Sequence, residues 1–313
     1  VSGGTVNWGS ATLYTEGSTS TLTVNAPGVV FNNFTMGKGG SGDLDIVGTM
    51  DVDGTLTFDN ATGGNGNQFD TGILEASGNV VLNDLDGGLG TLVLNGSVPR
   101  TFTGTSGMFT PNLVIDSTST IDFTNLSVGR NFTYTQGTVN ILDSTITFGL
   151  NSDSTITSNG FIFPNVSVVK TNNGEIIFAD AGDIDGNLHL NSTGTGNDLD
   201  GSVNLAGDLI IDYCGGGTGS ITFDGTSDQD FTLNSGLLPG GTVTVEKSSG
   251  SVIQTTNVSF PGGSQNLDIK DGYWNMNGNN LIVTGTIDVG DGVGATDTAR
   301  LYESCGVLTG TVD

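Results

Sequence analysis

Acidic side chains crowd several short stretches of this chain. Asp43 and Asp45 stand two residues apart, as do Asp51 and Asp53, and Asp183 and Asp185. Asp84 with Asp86, Asp180 with Asp183, and Asp198 with Asp200 repeat the theme. Carboxylates together with turn carbonyls are the hard oxygen ligands that Ca²⁺ takes. Asp43, Asp45, Asp51, Asp53, Asp183 and Asp185 are therefore the candidate calcium ligands, and no other cofactor is required. The tandem calcium signature G-G-x-G-x-D is not met. Gly39-Gly40-Ser41-Gly42-Asp43 places its Asp one residue early, and Gly63-Gly64-Asn65-Gly66 has none at the required place. Turn aspartates facing water produce the same spacing.

A second chemistry would need carboxylates and a base on one face. Asp122, Asp143 and Asp268 lie at middle positions of strands or beside them, where an outward-facing carboxylate is expected. Arg100, Arg130, Lys170, Lys247 and Lys270 are the plausible basic partners. That combination would serve a polysaccharide lyase or hydrolase built on a β-helix, the alternative function, although no recognisable motif unites them and no catalytic residue is assigned. His189, between Leu188 and Leu190, is expected to face solvent with no second His or Cys beside it for a metal. Cys214 and Cys305 lie about 91 residues apart. Two thiols, an internal bridge after a fold-back of the C-terminus, and an intersubunit bridge all stay open.

The elements that must carry these residues are short. The recurrent word is apolar–polar–apolar, as in Leu44-Asp45-Ile46, Leu113-Val114-Ile115, Ile121-Asp122-Phe123, Leu188-His189-Leu190, Ile221-Thr222-Phe223 and Leu267-Asp268-Ile269. Alternation puts the outer two side chains on one face and the middle one on the other. Asx-Gly steps such as Asp53-Gly54, Asn95-Gly96, Asp185-Gly186 and Asp224-Gly225 punctuate the words with positive-φ turns. Phe31, Phe34, Phe58, Phe123, Phe148, Phe178 and Phe223 read as stacked interior rungs.

Internal repeats choose the fold. Segments starting near Thr91, Thr155 and Ser220 align at a period of about 64 residues, with anchors Pro111-Asn112-Leu113, Pro164-Asn165-Val166 and Pro239-Gly240-Gly241-Thr242-Val243. An internal step of about 20 residues is one coil of three short strands. Tandem sandwiches would need about 90 to 100 residues each. The expected fold is all-β: a right-handed parallel β-helix, or β-solenoid, with about three short strands per coil. Residues 1–290 read as one continuous solenoid with repeats near 12–83, 91–148, 155–212 and 220–289. Residues 291–313 read as a C-terminal cap or docking segment.

Composition limits the function. The 313 residues carry 33 acidic and 7 basic side chains, a net charge of −26. Seven scattered basic residues cannot make the footprint that duplex nucleic acid requires. No run of about 18 apolar residues exists to span a membrane. An acidic surface stays soluble by mutual repulsion and suits salty or calcium-containing surroundings, which points to an extracellular or cell-surface location.

Gly129-Arg130-Asn131-Phe132-Thr133-Tyr134-Thr135-Gln136-Gly137-Thr138-Val139 resembles a G-x-N-aromatic-T-Y-T-x-G-T-V segment of repeat-rich secreted bacterial surface proteins. Ile221-Thr222-Phe223-Asp224-Gly225-Thr226 and the Pro111-Asn112 anchor follow the same pattern. The resemblance covers about residues 91–290. It implies parallel β-helix repeats like those of adhesins and autotransporter passengers, a role in surface structure or adhesion, and no catalytic residue. A solenoid exposes strand edges at its ends. Copies of the same chain, docking head to tail through the N-terminal strands around Thr5-Val6-Asn7-Trp8 and through residues 295–313, are therefore the expected partners. Surface glycans are a further expected partner.

Overall fold

The computed structural model describes residues 10–17, 21–38, 42–59, 67–193, 199–260, 265–290, 299–303 and 306–312. Thr5–Trp8, Gly39–Ser41, Gly63–Gly66, Asp198, residues 295–298 and Cys305 lie outside them. The described residues contain 31 strands and no helix. These strands run parallel and stack as a β-solenoid of about 12 turns. Among them no helix is long and apolar enough to cross a membrane. The chain forms two compact units, Val1–Leu150 and Asn151–Asp313.

In the first unit the three-residue words pair with their copies one coil later. One inward ladder runs Leu13, Phe34, Leu56, Val80, Phe102, Phe123, with successive partners 21 to 24 residues apart. A second runs Met50, Leu74, Leu92, Leu113, Phe132. Their side chains from Phe34 onward are at most 1% exposed. The middle residues form outward ladders, such as Thr35, Thr57, Val81, Thr103 and Thr124. Phe102 and Phe123 stack with ring centroids 5.1 Å apart. Coil-to-coil spacing of a parallel sheet is about 4.8 Å, so like residues at like positions meet. Gly72, at φ +87°, turns the strand Phe69–Ala76 at its bulge, where a Cβ would run into the Ile46 carbonyl oxygen.

The second unit repeats this construction. Phe163, Ile184, Leu205, Phe223, Val245 and Ile269 form one buried ladder. Val166, Leu188, Leu209 and Phe231 form another. Trp274, fully buried, meets Phe223, Phe231 and Phe260 at centroid distances of 6.4, 5.6 and 6.4 Å. All seven phenylalanines expected as rungs are at most 3% exposed. Within the segment 291–313, Arg300–Tyr302 and Leu308–Val312 add as two further parallel strands, against Tyr273–Asn275 and Leu281–Ile287.

The two faces predict opposite sensitivities. Phe102→Ala removes a rung and should lower unfolding free energy by about 3–5 kcal/mol. Thr103→Ala, on the outward face, should change it by less than about 0.5 kcal/mol. Chemical denaturation midpoints of the two variants check the contrast.

Candidate functional site

Three groups of carboxylates gather the acidic candidates. In the first, Asp45 stacks on Thr71 and accepts its hydroxyl hydrogen bond at 3.0 Å. Asp70 stands beside this pair. Burial raises the Asp70 carboxyl above its ordinary range, and the charges of Asp43 and Asp45 raise it further. A hydrogen bond from the Leu89 backbone and the charge of Arg130 pull the other way. In the second group, Asp51 stacks directly on Glu75. Burial is again the leading cause that lifts the Glu75 carboxyl, followed by its hydrogen bond with Asp51 and by that residue's charge. Asn95 Nδ2 donates to Glu75 Oε2 at 3.1 Å and partly offsets this. Asp53 is exposed at the following turn.

The third group joins Asp183 and Asp185 to Asp224. Burial and then Asp185 raise Asp183; burial and then Asp183 raise Asp224, against the pull of Lys247. Asp70, Glu75 and Asp224 are thus the members that sequence spacing missed, because they arrive from the next coil or the one after it. Among the described residues no three His, Cys, Asp or Glu side chains converge on a point that could hold a metal ion.

Most turn Asx side chains have a different task. Asn165 Oδ1 accepts the Asn187 N–H, Asn187 Oδ1 accepts the Asp208 N–H, and Asp208 Oδ1 accepts the Asp230 N–H, each at 2.8 Å. Each side chain thereby satisfies a backbone donor one coil further on, at a corner where strand pairing lapses. The repeat anchor Asn112 does the same for Asn131 at 3.4 Å, and Asn266 does so for Thr286 at 2.9 Å. Asp180 clamps the N–H groups of Ser158 and Asn159 at 2.8 and 2.6 Å. Burial works to raise its carboxyl, but these bonds outweigh it and the net shift is downward.

Three of the five basic candidates turn inward, while Arg130 is half-buried. Arg100 is 5% exposed, Lys170 1% and Lys247 0%. Arg100 Nη1 donates to the Ser77 carbonyl at 2.7 Å. Lys170 Nζ donates to the Ser152 carbonyl at 2.8 Å and to Ser154 Oγ at 2.5 Å. Lys247 Nζ donates to the carbonyls of Gly225 and Ser227 at 2.5 and 2.9 Å and to Gln229 Oε1. Buried Gln254 and Gln265 reach the carbonyls of Asn280 and Pro239 in the same manner. Each basic chain carries fixed donors to corner carbonyls that the parallel ladder leaves facing the interior. Strand parity marks them: Arg100 shares its face with Phe102, Lys170 with Val166 and Val168, Lys247 with Val243 and Val245. Lys270 stays outside, 3.4 Å from Glu246. Asp122 stacks on Asn140 and accepts its Nδ2 at 2.7 Å, Asp143 caps the Asn125 N–H at 2.8 Å, and Asp268 lies in the ladder between Thr244 and Asp288.

His189 lies half-exposed on the outward face between Ser167 and Ile210, and its Nε2 meets Asp212 Oδ2 at 2.7 Å. Asn234 Nδ2 donates to the other oxygen of Asp212 at 2.8 Å. The Asn234 bond first, and then the His189 bond, hold the Asp212 carboxyl below its ordinary range. Cys214 is buried at 2% exposure, its thiol 3.5 Å from the Gly216 carbonyl.

Comparison with protein-family models, curated proteins and solved structures gave no match.

The stacked pair Asp51 and Glu75 carries a pH signature. A carboxyl raised in the folded state binds more protons there than in the unfolded chain, so stability falls as pH climbs through the raised range. Glu75→Gln should therefore raise the melting midpoint at pH 7, by about 1–2 °C. The gain should vanish near pH 4, about the ordinary carboxyl pKa. Melting curves of both chains across that interval measure it.

Proposed function

We propose that the chain is a non-enzymatic, extracellular structural or adhesive β-solenoid, associating head to tail as a filament or stalk subunit. The inward placement of Arg100, Lys170 and Lys247 is the observation that carries this reading. A polysaccharide lyase, or a hydrolase that uses a basic partner, would set such groups beside its carboxylates. Here they are engaged by backbone carbonyls in the interior. The outward ladders hold Thr, Ser, Asn and Asp side chains hydrogen-bonded from coil to coil. Such surfaces favour a mechanical role, in which continuous ladders and packed rungs resist unfolding and proteolysis.

Self-association draws support from strand edges. Among the described residues Thr12–Gly17 pairs along one edge only, with Asn33–Lys38. Arg300–Tyr302 and Leu308–Val312 likewise pair along one edge only. Val307, Val312, Tyr302 and Ile282 are 59, 51, 49 and 41% exposed around the latter two. Where such an edge is left open, its apolar neighbours make it a template for a strand of another copy. The net charge of −26 opposes that contact, and salt screens the repulsion over about 8–10 Å at physiological strength. Extracellular placement rests on composition, and the resemblance to secreted surface repeats agrees with it.

Sedimentation and electron microscopy should find end-to-end oligomers that grow as salt rises from about 0.01 to 1 M. Val307→Lys with Val312→Lys should shorten them without changing the circular dichroism spectrum. Monomers at every salt and calcium concentration would count against assembly. Release of sugar from a panel of acidic and neutral polysaccharides would count against the non-enzymatic reading.

A further inference from the structure

Lys247 and Gln229 meet inside the second unit, where they are 0 and 1% exposed. The Lys247 amine donates to Gln229 Oε1. The same oxygen accepts the Gly225 N–H at 3.1 Å. Gln229 Nε2 donates to the Leu205 carbonyl at 2.9 Å and to the Gly207 carbonyl. The carboxamide is therefore fixed, with two donors on its oxygen and two acceptors around its nitrogen. The Gly225 N–H, the donor that stays in place when the amine turns to attack, stabilises the negative charge that builds on the carbonyl oxygen as a nucleophile adds. Carbonyl acceptors steady a nitrogen that must gain a proton and leave. Contact between amine and acyl group removes the entropic cost of bringing two reactants together.

The amine is also tuned for attack. Burial lowers its pKa to about 8, against the pull of Asp224 and Asp228. About one tenth is then neutral at pH 7. Asp224 is near enough for its charge to act on Lys247.

We propose that Lys247 and Gln229 form an intramolecular isopeptide cross-link, closing an 18-residue loop. Neutral Nζ adds to Cδ of Gln229. One Nζ proton passes to Nε2, the Cδ–Nε2 bond breaks, and ammonia departs. Amine and carboxamide become a secondary amide and ammonia, with no change of oxidation state. The cross-link would stand whether or not the chain assembles with copies of itself.

Mass spectrometry of the intact chain tests it. The expected mass is lower than the sequence mass by one ammonia, about 17 Da. Proteolysis should yield one joined peptide carrying both Gln229 and Lys247, and Lys247→Arg should restore the full mass. The joined peptide from the unaltered chain suffices if that variant does not fold. Full sequence mass after incubation at about pH 9, where the amine is mostly neutral, would overturn the proposal. So would a deficit without the joined peptide that hydroxylamine removes, since an Asn-Gly step such as Asn95-Gly96 or Asn159-Gly160 loses ammonia on forming a succinimide.

Discussion

Each coil of this molecule must satisfy its corner backbone groups without water and without a strand partner. Along the strands the problem does not arise, because parallel neighbours trade N–H and C=O groups in register. At the corners the chain turns and the ladder lapses, and a buried unpaired carbonyl or amide costs about 1–3 kcal/mol. Two devices meet that demand. Asx side chains accept the N–H of the next coil, as in the series Asn165, Asn187, Asp208. Inward Arg, Lys and Gln side chains donate to the carbonyls, as Lys247 does to Gly225 and Ser227.

The functional reading follows from that division of labour. A chain with 7 basic residues commits at least three of them to its interior. Little positive charge is left outside to oppose the carboxylates, which crowd one another instead. Asp51 on Glu75, and Asp183 with Asp224, are pairs in which burial and a neighbouring carboxylate raise a carboxyl above its ordinary range. Outward Thr, Asn and Asp ladders form a hydrogen-bonded skin. A stalk or filament asks for that kind of uniform, coil-to-coil cohesion.

Much of the fold was legible because the strand period is two. Ile121-Asp122-Phe123 and Leu188-His189-Leu190 declare an inside and an outside, and the 64-residue repeat declares that like words lie over like words. The basic residues were less legible, and instructively so. Arg100, Lys170 and Lys247 are plausible basic partners by residue type, because charge usually stays in water, yet their parity with Phe102, Val168 and Val245 points inward. The acidic groups are only partly legible for another reason. Spacing along the chain groups Asp43 with Asp45, but coil stacking supplies Asp70 from the next coil, and no local pattern announces that. The Pro-Asn anchors were visible as repeats; their purpose, bonding the N–H one coil ahead, needed the corner geometry.

Native-state acylation of the lysines, mapped by peptide mass, tests the inward use of cations most directly. The account predicts that Lys270 is modified in the folded chain while Lys170 and Lys247 are protected, and that Lys170 becomes reactive on denaturation. Modification of Lys170 and Lys247 in the folded chain as readily as Lys270 would contradict it.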